Sequence, residues 1–242
     1  MRIRPGKRAV LFDAGNTLLH VDYGHVAAVL RARGHAVEPG AVQAAEYASK
    51  AALDRALAPD AVPEPSVQRL LWRRPDGRPS YFATLIANLG IADEDVLPAL
   101  AALEADNRAR SLWRIVEPGT EEVLVELGRR GLALGVISNS DGRIEADLLE
   151  AGLGTHFACV LDSSVVGVEK PDPAIFALAL SRLALPAEDT VYVGDVYAID
   201  VLGARRAGIE GVLMDPLGCY EAPPDCPRIR TLAELLPLLS SV

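Results

Sequence analysis

The chain is poor in the residues that build disulfide frameworks and zinc centres. Cysteine occurs three times in 242 residues, at Cys159, Cys219 and Cys226, an odd number without any C-x-x-C pair. A disulfide scaffold and a structural zinc site are therefore not expected. The four histidines, His20, His25, His35 and His156, show neither H-E-x-x-H nor H-x-x-x-H spacing, so a histidine-based metal site is not expected either. No apolar run approaches the roughly 18 residues that a membrane helix needs. The basic start, Met1 to Arg8, leads only into a strand-length apolar run with no small-residue cleavage site behind it, which leads us to expect a cytoplasmic protein. Acidic residues outnumber basic ones, 33 to 24. The formal net charge is −9, and lysine stands only at Lys7, Lys50 and Lys170. Such a balance argues against nucleic acid as a partner, which demands cationic surface to neutralise phosphates. A small anionic ligand remains compatible, because a bound cation inverts the local field.

What is present is an alternation of strands and helices. Half of the residues are hydrophobic and a quarter charged, the composition of a globular chain. Buried strands are predicted at 8–13, Leu132–Ile137, Phe157–Leu161, Thr190–Val193 and Gly211–Met214, each a short apolar run closed by turn residues. Helices are predicted at Glu121–Arg130 (capped by Thr120), Asp141–Ala151, Pro173–Leu183, Ala198–Ala207 and Thr231–Leu239. Between about His20 and Arg110 strand signals give way to helix formers, at Val26–Leu30, Val42–Leu57, Val67–Arg73, Tyr81–Leu89 and Asp93–Ala109, with a turn-rich loop at 75–79. The expected architecture is α/β, a doubly wound parallel sheet with a Rossmann-like core formed by 1–20 and 111–242. A helical domain, 21–110, is inserted after the first strand.

The chemistry collects where strands end. Ala9–Phe12 runs into Asp13 and the turn Ala14-Gly15-Asn16-Thr17, and Val191–Gly194 runs into Asp195, with Asp200 five residues on. Between them lie Val136-Ile137-Ser138-Asn139 and Glu169-Lys170-Pro171-Asp172, where Pro171 keeps Lys170 off a regular helix. In open α/β sheets ligands bind at the carboxyl ends of the strands.

These four segments, in this order, resemble the four signature motifs of the haloacid dehalogenase superfamily, most of whose members are phosphatases. The likeness runs over nearly the whole chain, with the helical insertion in the place of that family's cap. It implies that Asp13 is a nucleophile forming an aspartyl-phosphate. It further implies that Mg²⁺ is held by Asp13, the backbone carbonyl of Gly15 and Asp195, with Asp200 acting from behind these or as a further ligand. Ser138 and the backbone N–H of Asn139 would bind a phosphoryl oxygen, Lys170 would place its charge on the phosphate and on Asp13, and Thr17 would shape the loop after the nucleophile. The implied partner is a small phosphorylated metabolite, and a homodimer is left open.

One position departs from that pattern. Most phosphatases of the family carry a second aspartate two residues after the nucleophile, where this chain has Gly15. General acid–base help is worth roughly 10²- to 10⁴-fold in rate, and the neutral Asn16 is no substitute. Asp54, His25 and Glu46 are candidate replacements from the helical segment. The departure admits other readings: a haloacid dehalogenase, whose leaving group needs no proton; a phosphonoacetaldehyde hydrolase, for which Lys50 would form a Schiff base; and a weakly active or non-catalytic protein binding phospho-ligands or a partner. Unless catalytic, Lys50 is expected to be solvated on a helix surface. Trp72, Arg73, Arg74, Tyr81 and Phe82 either face a substrate, pack the helical domain or contact another subunit.

Overall fold

The computed structural model describes residues 3–60, 71–73, 77, 80–218, 220 and 225–239. The chain forms two units, Met1–His20 with Arg114–Val242, and Val21–Trp113. The first is the α/β core. Its sheet has six strands in the order β5-β4-β1-β6-β7-β8: β1 (Ala9–Phe12), β4 (Ala133–Ser138), β5 (Cys159–Asp162), β6 (Thr190–Gly194), β7 (Glu210–Met214) and β8 (Arg228–Ile229). All neighbours run parallel. The five expected strands are all there. The sixth, β8, is two residues long and leaves no periodicity to read.

Parallel strands with helices on the sheet bury both faces, which is why β1 is apolar throughout and fully buried. Leu11, Ile137, Leu161 and Tyr192 from four strands meet Ile175, Phe176, Ala179 and Ala204 in one apolar cluster. The last four belong to α8 (Pro173–Leu183) and α9 (Leu202–Arg206). Helix α8 starts where Asp172 accepts the N–H of Ala174 at 2.9 Å and Pro173 takes the first helical position. Helix α5 (Thr120–Arg129) packs on β4 through Val123, Leu124 and Leu127.

Some element ends differ from expectation. Gly119, at φ 86°, occupies the cap of α5, and Thr120 is the first helical residue. Helix α6 (Ile144–Glu150) starts three residues late because the Asp162 carboxylate takes the N–H of Gly142 (2.9 Å) and holds the preceding turn. The same carboxylate caps α7 (Ser163–Val166). The stretch expected as one helix over Ala198–Ala207 is a π-helical turn, Tyr197–Val201, followed by α9. The C-terminal segment has a single 3₁₀ turn before α10 (Leu235–Leu238).

The second unit is helical: α1 (Tyr23–Arg31), α2 (Pro39–Leu57), α3 (Tyr81–Asn88) and α4 (Asp93–Ala109). Its own core contains Val26, Leu30, Val42, Leu85, Ile86 and Leu103. Asp22 caps α1 and Ser80 caps α3. Two short strands, β2 (His20–Val21) and β3 (Trp113–Ile115), pair separately. Of the expected helix at Val67–Arg73, residues 67–70 lie outside the described residues, as do Arg74, Cys219 and most of the loop at 75–79; 71–73 are not helical.

Candidate active site

The sheet register decides what meets at its carboxyl edge. Phe12 stands level with Val136 on one side and with Val193 on the other. The next residue, Asp13, therefore leaves β1 beside the ends of β4 and β6, and its N–H still donates to Val193 O at 2.8 Å. Ser138 closes β4 and Asp195 follows β6. After Asp13 the chain turns tightly: Leu18 N and Leu19 N both donate to Ala14 O at 2.9 Å. The left-handed residue in this loop is Asn16 (φ 54°), not Gly15; asparagine tolerates that conformation better than most side chains. Gly15 is half-buried in the loop. Thr17 is fully buried, and its hydroxyl has no hydrogen-bond partner among the described residues.

Lys170 is the hub. It is buried, and Nζ lies 2.5 Å from Asp13 Oδ1, 2.7 Å from Asp200 Oδ1 and 2.8 Å from the Tyr192 hydroxyl. An ammonium has three protons, and three acceptors surround it. The Tyr192 hydroxyl in turn faces Asp200 Oδ1 (3.1 Å) and the Ile137 carbonyl (3.3 Å). Asn139 fixes the lysine's backbone from the end of β4: Lys170 N donates to Asn139 Oδ1 at 2.8 Å, and Asn139 Nδ2 donates to Lys170 O at 2.9 Å. Asn139 thus acts through its side chain, a role that the sequence pattern around its backbone N–H does not announce.

Asp200 reaches the cluster from the π-helical turn. Its Oδ2 accepts the Val196 N–H at 2.9 Å, while Oδ1 faces Lys170 and Tyr192. Close approach demands glycine at 194, since a Cβ there would stand 2.5 Å from the Asp200 Cβ. Asp195 is buried alongside. Among the described residues, Asp13, Asp195 and Asp200 are the one acidic group able to present ligand atoms within 4.8 Å of one another.

Burial pushes the Asp13 carboxyl up to about 8; Lys170 pulls it down, and Asp200 and Asp195 push it further up. Burial works against the Lys170 charge, but Asp13 and Asp200 outweigh it and raise that group above its ordinary value. Tyr192 is raised well above the usual phenol range by burial and by Asp200. Three carboxylates around one ammonium leave two negative charges uncompensated when all are ionised. All three donors are hard oxygens, and a divalent cation such as Mg²⁺ suits both the charge and the donor set.

The side chains named in the helical segment are engaged within the helical unit. His25 Nε2 lies 2.6 Å from Asp106 Oδ2. Glu46 accepts the Tyr81 hydroxyl at 2.7 Å and pairs with Lys50 at 3.0 Å. Lys50 is thus buried rather than solvated: it pairs with the buried Glu46, and Tyr47 adds a ring 4.4 Å from its ammonium. Asp54 is fully buried too. Trp72, Tyr81 and Phe82 pack against the unit's core, and the rings of Tyr81, Phe82 and Trp113 lie 5.2 to 5.5 Å apart. Arg73 is exposed and donates to the Gly77 carbonyl at 2.9 Å.

Tyr192 went unread in the sequence because a tyrosine on an apolar strand passes for core. The available hint was that a buried phenol requires a partner. Phe at 192 would keep the edge-on packing on Phe176, whose ring centroid is 5.1 Å away, and delete only the hydroxyl. Tyr192→Phe is expected to cost about 1–3 kcal/mol of stability, since Lys170 loses an acceptor in a buried site. Urea denaturation of the metal-free protein measures it, and an unchanged midpoint would remove Tyr192 from the network.

Fold and cluster together define an α/β protein with an anionic, oxygen-lined centre at the carboxyl edge of a parallel sheet. Residues 7–208 match the model of the haloacid dehalogenase-like hydrolases, and the chain belongs to that family. It is 35% identical over 156 residues to the mouse (Mus musculus) haloacid dehalogenase-like hydrolase domain-containing protein 3, covering 62% of each chain. It is also 35% identical over 154 residues to a phosphoserine phosphatase of Thermus thermophilus, covering 63% of this chain and 60% of the relative. The chain thus spans about three-fifths of the length of these curated relatives. The solved HAD-hydrolase YfnB of Bacillus subtilis, bound to magnesium, shares the fold with a TM-score of 0.63 at 20% identity, over 97% of this chain and 99% of that one.

Proposed function

We propose that this hydrolase is a Mg²⁺-dependent phosphatase of small phosphorylated metabolites, working through an aspartyl-phosphate on Asp13. The observation that carries this reading is the buried Asp13 carboxylate, held 2.5 Å from Lys170 with two further carboxylates beside it. A relative that is a phosphoserine phosphatase supports the same substrate class. Asp13 would attack phosphorus and take the phosphoryl group, and water would then cleave the acyl phosphate. Lys170 keeps one Asp13 oxygen fixed and leaves the other for attack. Ser138 and the backbone N–H of Asn139 would bind a phosphoryl oxygen. Asp13, the Gly15 carbonyl and Asp195 would hold the cation; Asp200, with both oxygens already accepting hydrogen bonds, fits the role of orienting Lys170 and the loop after β6. A bound Mg²⁺ supplies charge neutralisation that lets an anionic carboxylate approach an anionic phosphate. The helical unit is assigned the substrate-selecting part, and a cytoplasmic setting belongs to the same reading; no described helix is long and apolar enough to cross a membrane.

Gly15 favours one second reading, a haloacid dehalogenase, because halide departs without a proton. A panel of phosphorylated metabolites and 2-haloacids, assayed for phosphate and halide release with Mg²⁺ or with EDTA, separates the two. Phosphate release that requires Mg²⁺ is expected. Halide release indifferent to EDTA would select the dehalogenase, and no turnover of anything would favour a binding protein.

A pH dependence follows from Asp13. Its carboxyl rises from 3.8 to about 8 in the metal-free protein, so below that pH the cation must displace a proton. Apparent Mg²⁺ affinity should climb by up to about tenfold per pH unit toward pH 8 and then level off. Stability of the metal-free protein runs the other way. Between about pH 4 and 8 the folded state keeps a proton that the unfolded chain releases, so this contribution is lost as pH rises. Calorimetric titration at pH 6, 7 and 8 tests the first statement, and equal affinities would refute it.

A further inference from the structure

Taking the phosphatase reading as basis, we infer that the substrate is a phosphoric anhydride, an acyl phosphate or a diphosphate, rather than an alkyl phosphate ester. The ground is a census of protons among the described residues. Breaking the P–O bond of an alkyl ester releases an alkoxide, which needs a proton as it leaves. Lys170 cannot spare one, since Asp13, Asp200 and Tyr192 each take one of its hydrogen bonds. The single Tyr192 proton is committed to Asp200 or to the Ile137 carbonyl. The other buried carboxyls of the core are also occupied: Asp195 is given to the cation in the phosphatase reading, Asp162 accepts the N–H groups of Gly142 and Ser164, and Asp215 pairs with Arg228 at 3.2 Å. The hydroxyls of Ser138 and Thr17 are too weakly acidic to serve. Gly15, in the loop that follows the nucleophile, carries no side chain at all. In the helical unit, His25 and Glu46 are held by Asp106, Tyr81 and Lys50, and Asp54 is fully buried.

A leaving carboxylate needs no donor. Its conjugate acid has a pKa of about 4, against about 10 for a phenol, and the second ionisation of a phosphate lies near 6. With an acyl phosphate, an Asp13 oxygen bonds to phosphorus while the bond from phosphorus to the bridging oxygen breaks. The carboxylate departs with that electron pair, and no proton moves. Water then cleaves the Asp13 acyl phosphate, restoring the carboxylate, and both of its protons end on the released dihydrogen phosphate. Atoms and charge balance without an acid or base from the protein.

The test uses the wild-type protein, saturated with Mg²⁺, on acetyl phosphate, inorganic diphosphate, aryl phosphates of graded leaving-group acidity, and ethyl phosphate. We expect kcat/KM to fall steeply with leaving-group basicity, and the better anhydride to exceed ethyl phosphate by roughly 10²- to 10⁴-fold, the span that an absent general acid should open. Acetyl phosphate and diphosphate, as separate arms, tell which anhydride is used. Ethyl phosphate turned over within tenfold of both anhydrides would overturn the inference and leave the phosphatase reading standing. No turnover of any member would overturn the reading and the inference with it. In addition, Gly15→Asp should raise the ratio of ethyl phosphate turnover to anhydride turnover by about 10²-fold; an unchanged ratio also counts against the inference. Should that variant not fold, the wild-type series decides alone.

Discussion

Asp13→Asn should abolish turnover and leave the fold intact. The amide matches the carboxylate in shape, but it has no charge with which to attack phosphorus. Loss of a covalent nucleophile lowers kcat by roughly 10⁴- to 10⁶-fold. Stability should move in the opposite direction from that of an ordinary core mutation. The Asp13 carboxyl is buried, with its pKa driven up to about 8, so ionising it inside the protein is costly. Asparagine removes that cost, keeps an oxygen for Lys170, and should leave the metal-free protein at least as stable as the wild type at pH 8. Mg²⁺ affinity should drop, because the proposed centre would lose one of its charged ligands. Phosphate release, thermal unfolding and Mg²⁺ titration on the same sample check all three. Turnover within tenfold of wild type would remove Asp13 from the chemistry.

Lys170→Met should produce the largest stability loss. The methionine stem replaces the aliphatic part of the lysine, but Asp13 and Asp200, 2.5 and 2.7 Å from its ammonium, lose their shared cation. Removing one member of a buried ion pair costs about 3–5 kcal/mol, because the survivors keep their desolvation penalty. Two conditions should reduce that cost. At pH 6 the Asp13 carboxyl, pushed up to about 8 by burial, holds a proton and no longer needs a counter-ion. Added Mg²⁺ stabilises the folded state by mass action, and it should do so more strongly than in wild type because the centre is one charge more negative. Chemical denaturation at pH 6 and 8, with and without Mg²⁺, separates these effects. A variant as stable as wild type under all four conditions would mean that the lysine does not neutralise the cluster.

Much of this centre is legible locally. Asp13, Ser138 and Asp195 announce themselves because each terminates or follows an apolar run, and a parallel sheet aligns such ends on one edge. Gly194 before Asp195 is legible as a motif, but its reason is not. The absent Cβ makes room for Asp200, which reaches it only because the chain takes a π-helical turn over Tyr197–Val201. An even helical pattern over Ala198–Ala207 hides that turn. Lys50 shows the reverse failure. A lone lysine amid helix formers reads as solvated, and only its pairing with Glu46 inside the helical unit explains how it is buried. Strand β8 and the paired β2 and β3 are too short for any periodicity to register.

The linear chain by itself determined the types of the longer elements, a parallel sheet and the kinds of side chain at its carboxyl edge, because these follow from short-range periodicity and turn chemistry. Only the tertiary structure decided that β1 lies between β4 and β6, and that Lys170, 157 residues from Asp13, divides its three protons among Asp13, Asp200 and Tyr192. Strand adjacency and the sharing of one buried charge are set by packing among distant segments, and no local pattern encodes them.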